Sequence, residues 1–202
     1  MLAGDAVFRW LVPLILLANL AVSATYRARA RRMEVIERRS ESRGLILARL
    51  GIGLPTMVLL VVFVIAPRAI PWSRLPLTGS WIGLRWFGVA MGVGAVPLVW
   101  WTLSNLGTNV SETVLTKDSH QLVTSGPYQW VRHPLYAAGG LLLLPGLGLV
   151  TASWVLLALN VVIVGTIRWG IVPREEAALE EKFEEAYRAY RATTGALLPR
   201  WL

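Results

Sequence analysis

Apolar residues in this chain come in long runs separated by short polar interruptions, a pattern that neither a half-buried strand nor an amphipathic surface helix produces. Five runs stand out, at about Phe8–Tyr26, Leu45–Ala66, Trp81–Leu106, Leu135–Val150 and Trp154–Val172. A helix needs about 20 mostly apolar residues to cross roughly 30 Å of hydrocarbon, so the pattern predicts an all-α polytopic membrane protein with about five transmembrane helices. The fourth run is short. Its residues include Pro145, Gly146 and Gly148, and at about 1.5 Å per residue it reaches only about 24 Å, so a shortened or broken helix is expected. Only Thr151–Ser153 joins it to the fifth run, which predicts an antiparallel helical hairpin. Ala137, Ala138, Gly139, Gly140 and Gly165 let its two arms approach closely.

The polar interruptions that carry information are the first loop 27–43, the connection Asn105–Pro134 and the tail Pro173–Leu202. The tail opens PREEAALEEKFEEAYRAY. Pro173 suits a first helical position, and Glu175 and Glu176 suit the positive end of a helix dipole. Leu179, Phe183, Ala186, Tyr187 and Tyr190 recur at three- and four-residue spacing, which predicts an amphipathic helix at the membrane face. Glu184 and Arg188 are in the favourable i,i+4 order for an ion pair, with Glu180, Glu181 and Glu185 as the solvated face.

Composition agrees with a membrane fold: 55% of the 202 residues are hydrophobic, 16% are charged and the mean hydropathy is +0.55. The net charge of +8 raises nucleic acid as a partner, but its placement argues against that. Arg27, Arg29, Arg31, Arg32, Arg38, Arg39 and Arg43 all lie in the first loop. By the positive-inside rule this loop faces the cytoplasm, which puts the N-terminus outside and both other polar pieces inside. Of the 20 Lys and Arg, only Arg9, Arg68, Arg74 and Arg85 then fall toward the outer side. The basic loop is expected to touch anionic lipid headgroups. Ala21–Ala24 (AVSA) resembles a leader cleavage site, but the Arg-rich sequence that follows disfavours export. Cysteine is absent and the histidines are His120 and His133 alone, so no metal site is expected.

The candidate chemistry centres on SGPYQWVRHPLYAAG, residues 125–139. Ser125, Gly126 and Pro127 are turn formers, and Pro134 suits the first turn of the fourth span. Arg132 and His133 are thereby held at the mouth of the hairpin. Taken singly, each is explained by snorkelling to the interface. Together with His120, Tyr128, Tyr136, Glu175 and Glu176 they gather at one end of the hairpin, and a pocket with both charge signs suits a zwitterionic or polar ligand. The residues alone name no reaction.

From His120 through LVTSGPYQWVRHPLY, across the hairpin, and again at REEAAL, KFEEAYRAY and LLP (Leu197–Pro199), the sequence resembles the isoprenylcysteine carboxyl methyltransferase (ICMT) family, which is related to phospholipid methyltransferases. The resemblance covers roughly the C-terminal half; the first half matches only as hydrophobic spans. It implies an S-adenosylmethionine-dependent membrane methyltransferase that releases S-adenosylhomocysteine and has no Rossmann domain, in keeping with the absence of a G-x-G-x-x-G signature. Carried over by motif, the cofactor contacts are His120, Val123, Gly126, Tyr128, Arg132, His133, Pro134, Tyr136, Glu175 and Glu176. The resemblance further implies a catalytic region over 107–202, beside an N-terminal region 1–106 of three spans. The acceptor is expected to be lipophilic or prenylated and to enter from the bilayer, with Arg132 or Arg168 guiding its carboxylate. Asn109 and Asn160 are candidate hydrogen-bond donors, and Arg168 also has a snorkelling explanation.

Other readings are a phospholipid amine N-methyltransferase, an NADPH-dependent sterol or enone reductase-like protein, and a non-catalytic membrane scaffold. Two departures from the family pattern stand out. Ala138 occupies a position where relatives usually have glycine, with Gly139 one place later, so the point of close packing is expected to shift. Glu184 likewise stands where glycine is common.

Overall fold

The structure is a computed structural model, and it describes residues 5–32, 43–106 and 122–200. Among these residues the elements are helical, apart from two isolated bridges, Arg74 with Ser153 and Val131 with Gly195. We label the main helices α1 (Asp5–Arg32), α2 (Arg43–Ile65), α3 (Ile82–Leu106), α4 (Pro134–Val150), α5 (Trp154–Gly165) and α6 (Val172–Thr193). Ala6–Tyr26, Gly79–Leu106 and Trp154–Thr193 are long and apolar enough to cross a membrane, while Gly53–Ile65 and Pro134–Val150 are shorter apolar stretches.

All five apolar runs are thus helical, and the fourth is shortened rather than broken, a continuous helix with a π-helical stretch in it. It consists of an α-helical turn Pro134–Ala137, a π-helical stretch Ala138–Leu143 and a final α-helical piece Leu144–Val150. A second π-helical stretch, Thr166–Ile171, links α5 to α6. Pro173 does not interrupt the rod, because it stands in the first turn of α6, where its missing N–H costs no ladder bond.

Two apolar clusters hold the helices together. Phe8, Val12 and Ile15 of α1 meet Leu60 and Phe63 of α2, Leu147 and Val150 of α4, and Leu156 of α5. Nearer the other end, Val99 and Leu103 of α3 enclose Ala138, which is completely buried. Helices α3 and α4 touch backbone to backbone: a Cβ on Gly88 would lie 2.6 Å from the Gly146 carbonyl oxygen, and one on Gly146 would lie 2.7 Å from that of Gly88. Between α4 and α5 the tight points are Gly148, whose Cβ would stand 2.6 Å from Leu157, and Gly140, whose Cβ would stand 3.0 Å from Val164, whereas a Cβ on Gly139 would meet nothing within 4 Å. Close packing therefore does not move to Gly139. The wide π turn carries Gly139 off the contact line.

The hairpin turn is anchored from outside. Leu75 donates its N–H to the Ala152 carbonyl at 2.6 Å, and the Trp154 indole donates to the Trp72 carbonyl at 3.0 Å. Ser153 caps α5, its hydroxyl accepting from the Leu156 N–H at 3.4 Å.

Helix α6 is amphipathic but not straight. Glu184 adopts φ 45°, ψ −118° and divides it. The expected Glu184–Arg188 pair is not formed for this reason: Arg188 pairs instead with Glu180 at 2.8 Å and with Glu185 at 3.4 Å.

Candidate active site

The site begins at a turn that only glycine accommodates. Gly126 has φ +61°, and a Cβ there would lie 2.5 Å from the amide carbon of Asn105 at the end of α3. The 3₁₀ turn Gly126–Gln129 follows and delivers the chain to Val131, which aligns with Gly195. Arg132 and His133 then donate their backbone N–H groups to the carbonyls of Gly195 and Ala196 at 2.8 and 3.0 Å. His133, at φ −125° and ψ 63°, stays out of the α region that a following proline disfavours, and Pro134 opens α4.

Glu175 and Glu176, in the first turn of α6, face this segment. The Arg132 guanidinium is 2.8 Å from Oε1 of Glu176 and also donates to the Thr194 carbonyl. His133 lies between the two carboxylates, its Nδ1 3.3 Å from Glu175 Oε2 and its Nε2 3.3 Å from Glu176 Oε1. Tyr136 stacks on the His133 ring at 5.8 Å and gives its hydroxyl proton to Glu175 at 2.6 Å. Arg191 approaches Glu176 from the far side at 3.5 Å.

These contacts set the protonation states. Burial pushes His133 toward neutrality, but hydrogen bonds and charge from Glu175 and Glu176 outweigh it and raise its pKa above the ordinary value. With both ring nitrogens directed at carboxylates, the imidazolium form satisfies both contacts. Glu176 lies beyond the apolar part of its helix. Burial alone would raise its pKa, yet the hydrogen bonds from His133 and Arg132 bring it down to about 2. Tyr128 is driven upward, first by burial and then by the neighbouring Tyr190 and Glu175.

The structure thus brings together Tyr128, Arg132, His133, Pro134, Tyr136, Glu175 and Glu176, with Gly126 shaping the approach. Val123 is half-buried in the segment leading to that turn. Arg168 stands apart, exposed on the second π turn, with no hydrogen bond or ion pair among the described residues. Asn160 is buried within α5, and its side-chain oxygen has no partner among the described residues. His120 and Asn109 lie outside the described residues.

Sequence reasoning missed the C-terminal contribution. Tyr190 donates to the Tyr128 carbonyl at 2.6 Å, and Thr194, Gly195 and Ala196 hold Arg132 and His133 by their carbonyls. Gly195 and the tight LLP sequence that follows were the available signal. Also missed was Tyr187, whose hydroxyl is fully buried near Glu176, Arg132 and Arg191 without a hydrogen-bond partner among the described residues.

Over part of its length the chain is similar to known proteins. The uncharacterized protein YpbQ of Bacillus subtilis (strain 168) is 38% identical over 53 residues, which are 26% of this chain and 32% of that protein. The match therefore spans about a third of the relative's length. The model of the isoprenylcysteine carboxyl methyltransferase (ICMT) family matches residues 88–181. The matched stretch carries Arg132, His133, Glu175 and Glu176, and over it the chain is similar to that family.

Proposed function

We propose that this protein binds S-adenosylmethionine at the Arg132–His133–Glu175–Glu176 cluster and methylates the carboxylate of a lipophilic, isoprenylcysteine-like acceptor at the cytoplasmic membrane face. The observation that carries the reading is the cluster itself: an arginine, a histidine and two carboxylates, largely shielded from solvent, at the end of an apolar hairpin. The donor set fits the cofactor. Its amino-acid end carries both charges, which Arg132 and the glutamates can match, and its ribose hydroxyls find acceptors in carboxylates. The buried Tyr187 hydroxyl adds one more polar group beside the same charges.

When bound, the cofactor supplies an electrophilic methyl group on a sulfonium sulfur. The chain's part is to hold, orient and exclude water. Arg132 and Glu176 fix opposite charges within one small volume. The flanking helices present apolar side chains to the bilayer, so an acceptor with a lipid tail reaches the cluster sideways. In this reading residues 107–202 do the chemistry and 1–106 shield the acceptor tail.

A carboxylate acceptor is ionised at neutral pH and asks no base of the protein. An amine acceptor does, and His133, with both ring nitrogens engaged by carboxylates, has no free nitrogen to offer as that base. This supports carboxyl methylation over amine methylation.

Calorimetry with S-adenosylhomocysteine on detergent-purified protein tests the proposal. Saturable binding that Arg132→Ala or Glu176→Gln weakens by about tenfold or more is the expected result. A folded wild type that binds none would sink it, and NADPH binding would then point to the reductase reading.

A further inference from the structure

The contacts across the Glu184 break are impossible in a continuous helix. Arg191 lies 3.5 Å from Glu176 and 3.4 Å from Glu180. In a straight helix the rise between residues 176 and 191 would be about 22 Å, too far for a single guanidinium to close. The backbone at Glu184, φ 45° and ψ −118°, supplies the reversal, in a region that L-residues rarely enter.

What returns beyond the break is anchored in sequence order along one side of the site. Tyr187 is fully buried, and Tyr190 donates to the Tyr128 carbonyl at 2.6 Å. Thr194 is buried, hydrogen-bonds back to the Tyr190 carbonyl at 2.7 Å and offers its own carbonyl to the Arg132 guanidinium. Gly195 donates to Trp130 at 3.3 Å and accepts from Arg132 at 2.8 Å, and Ala196 accepts from His133 at 3.0 Å. Arg200 closes the end on the Ala192 carbonyl at 2.6 Å. Every backbone donor from Val131 to His133 is therefore spoken for, two of them by this returning segment.

We infer that residues 185–200 are a strap, turned back at Glu184, that positions Arg132 and His133, and that Gly195 is the residue on which this positioning depends. The inference rests on the proposed ligand site for its functional consequence and on the hydrogen bonds above for its geometry. Gly195 is singled out by space. A Cβ there would lie 1.8 Å from the Leu198 carbonyl oxygen and 2.9 Å from the Leu198 carbonyl carbon. Both are backbone atoms of the strap's own turn, so no side-chain rotation relieves the clash. Opening that turn moves the two carbonyls that fix Arg132 and His133.

The test uses full-length protein in detergent with two readouts: backbone amide exchange over residues 130–136, and calorimetric binding of S-adenosylhomocysteine. In Gly195→Ala, exchange at Arg132 and His133 accelerates by about tenfold or more while the amides of α1 and α3 keep their protection. Ligand affinity falls by a similar factor, and adding Gly195→Ala to Arg132→Ala weakens binding no further. Tyr190→Phe, which loses only the tether to Tyr128, gives a smaller change of the same kind and serves if Gly195→Ala does not fold. Glu184→Gly retains wild-type protection and affinity.

Unchanged exchange at Arg132 and His133 in the folded variants would overturn the strap. So would binding losses from Gly195→Ala and Arg132→Ala that simply add, since the strap would then act elsewhere. If wild-type protein binds no S-adenosylhomocysteine, the cofactor reading fails, and the exchange measurements still decide whether the strap holds the two residues.

Discussion

An arginine closes each end of α4, and the two are partnered in different ways. At the hairpin-turn end Arg85, 2% exposed, donates to the Val150 carbonyl at 2.9 Å and lies 3.9 Å from the centre of the Phe8 ring. At the other end Arg132 engages the Glu176 carboxylate. The helix dipole accounts for the contrast. A cation beside the last carbonyl of a helix is at the favourable, negative end, and Arg85 adds a cation–π contact there. Arg132 and His133 precede the first turn of α4, where the dipole disfavours positive charge, and carboxylates offset that cost. Partners that carry full charge can be exchanged for the charges of a ligand, whereas backbone carbonyls and rings belong to the fold. On the proposed function, Arg85 belongs to the fold and Arg132 to the ligand site.

The largest effect that would break this distinction concerns ligand affinity. Arg132→Ala leaves Glu176 buried without its chief cation, and a loss of about 2–5 kcal/mol in S-adenosylhomocysteine binding is expected by calorimetry. Affinity within twofold of wild type, on the order of 0.4 kcal/mol, would place the cation outside the binding machinery. Arg85→Ala should show the converse. It strands the Val150 carbonyl and removes the ring contact, so thermal unfolding in detergent should register a stability loss of about 1–3 kcal/mol with affinity unchanged. A ligand-binding defect in that variant would erase the contrast between the two ends.

A smaller effect is the pH dependence of the charged end. The His133 pKa is raised in the folded state, where Glu175, Glu176, Arg132 and Tyr136 surround it. Its contribution is therefore fully present below the ordinary value of 6.5 and is lost as pH rises through the folded value. The unfolding midpoint of wild type should fall over that interval, and His133→Gln should remove this component. A midpoint that rises instead would mean that His133 is neutral in the fold. The smallest effect is Glu184→Gly, which relieves a left-handed residue and should stabilise the protein by about 1 kcal/mol. Destabilisation would show that the reversal is not strained.

Much of this was written locally. Long apolar runs specify helices in a low-dielectric solvent because each helix satisfies its own backbone, so the five helical segments follow from periodicity and length alone. The length of the fourth run told of a shortened helix, and RHPLY with REEAAL named the charged cluster, since few reasons exist to keep such residues beside apolar spans. Two expectations failed for a shared reason. The Glu184–Arg188 pair and close packing at Gly139 both assumed regular α-helical geometry, and a left-handed residue in one case and a π turn in the other changed which side chains face each other.

Sequence by itself therefore determined the helical membrane architecture and which residue types stand at the hairpin mouth, because both depend on composition and short-range spacing. Only the tertiary structure decided that His133 bridges two carboxylates rather than pairing with one. It alone decided that Arg191 returns to Glu176 and that Gly195 and Ala196 fix the backbone of Arg132 and His133. Those contacts join residues far apart along the chain. Their geometry comes from the turn at Glu184 and from the packing of α3, α4 and α5, which no local pattern records.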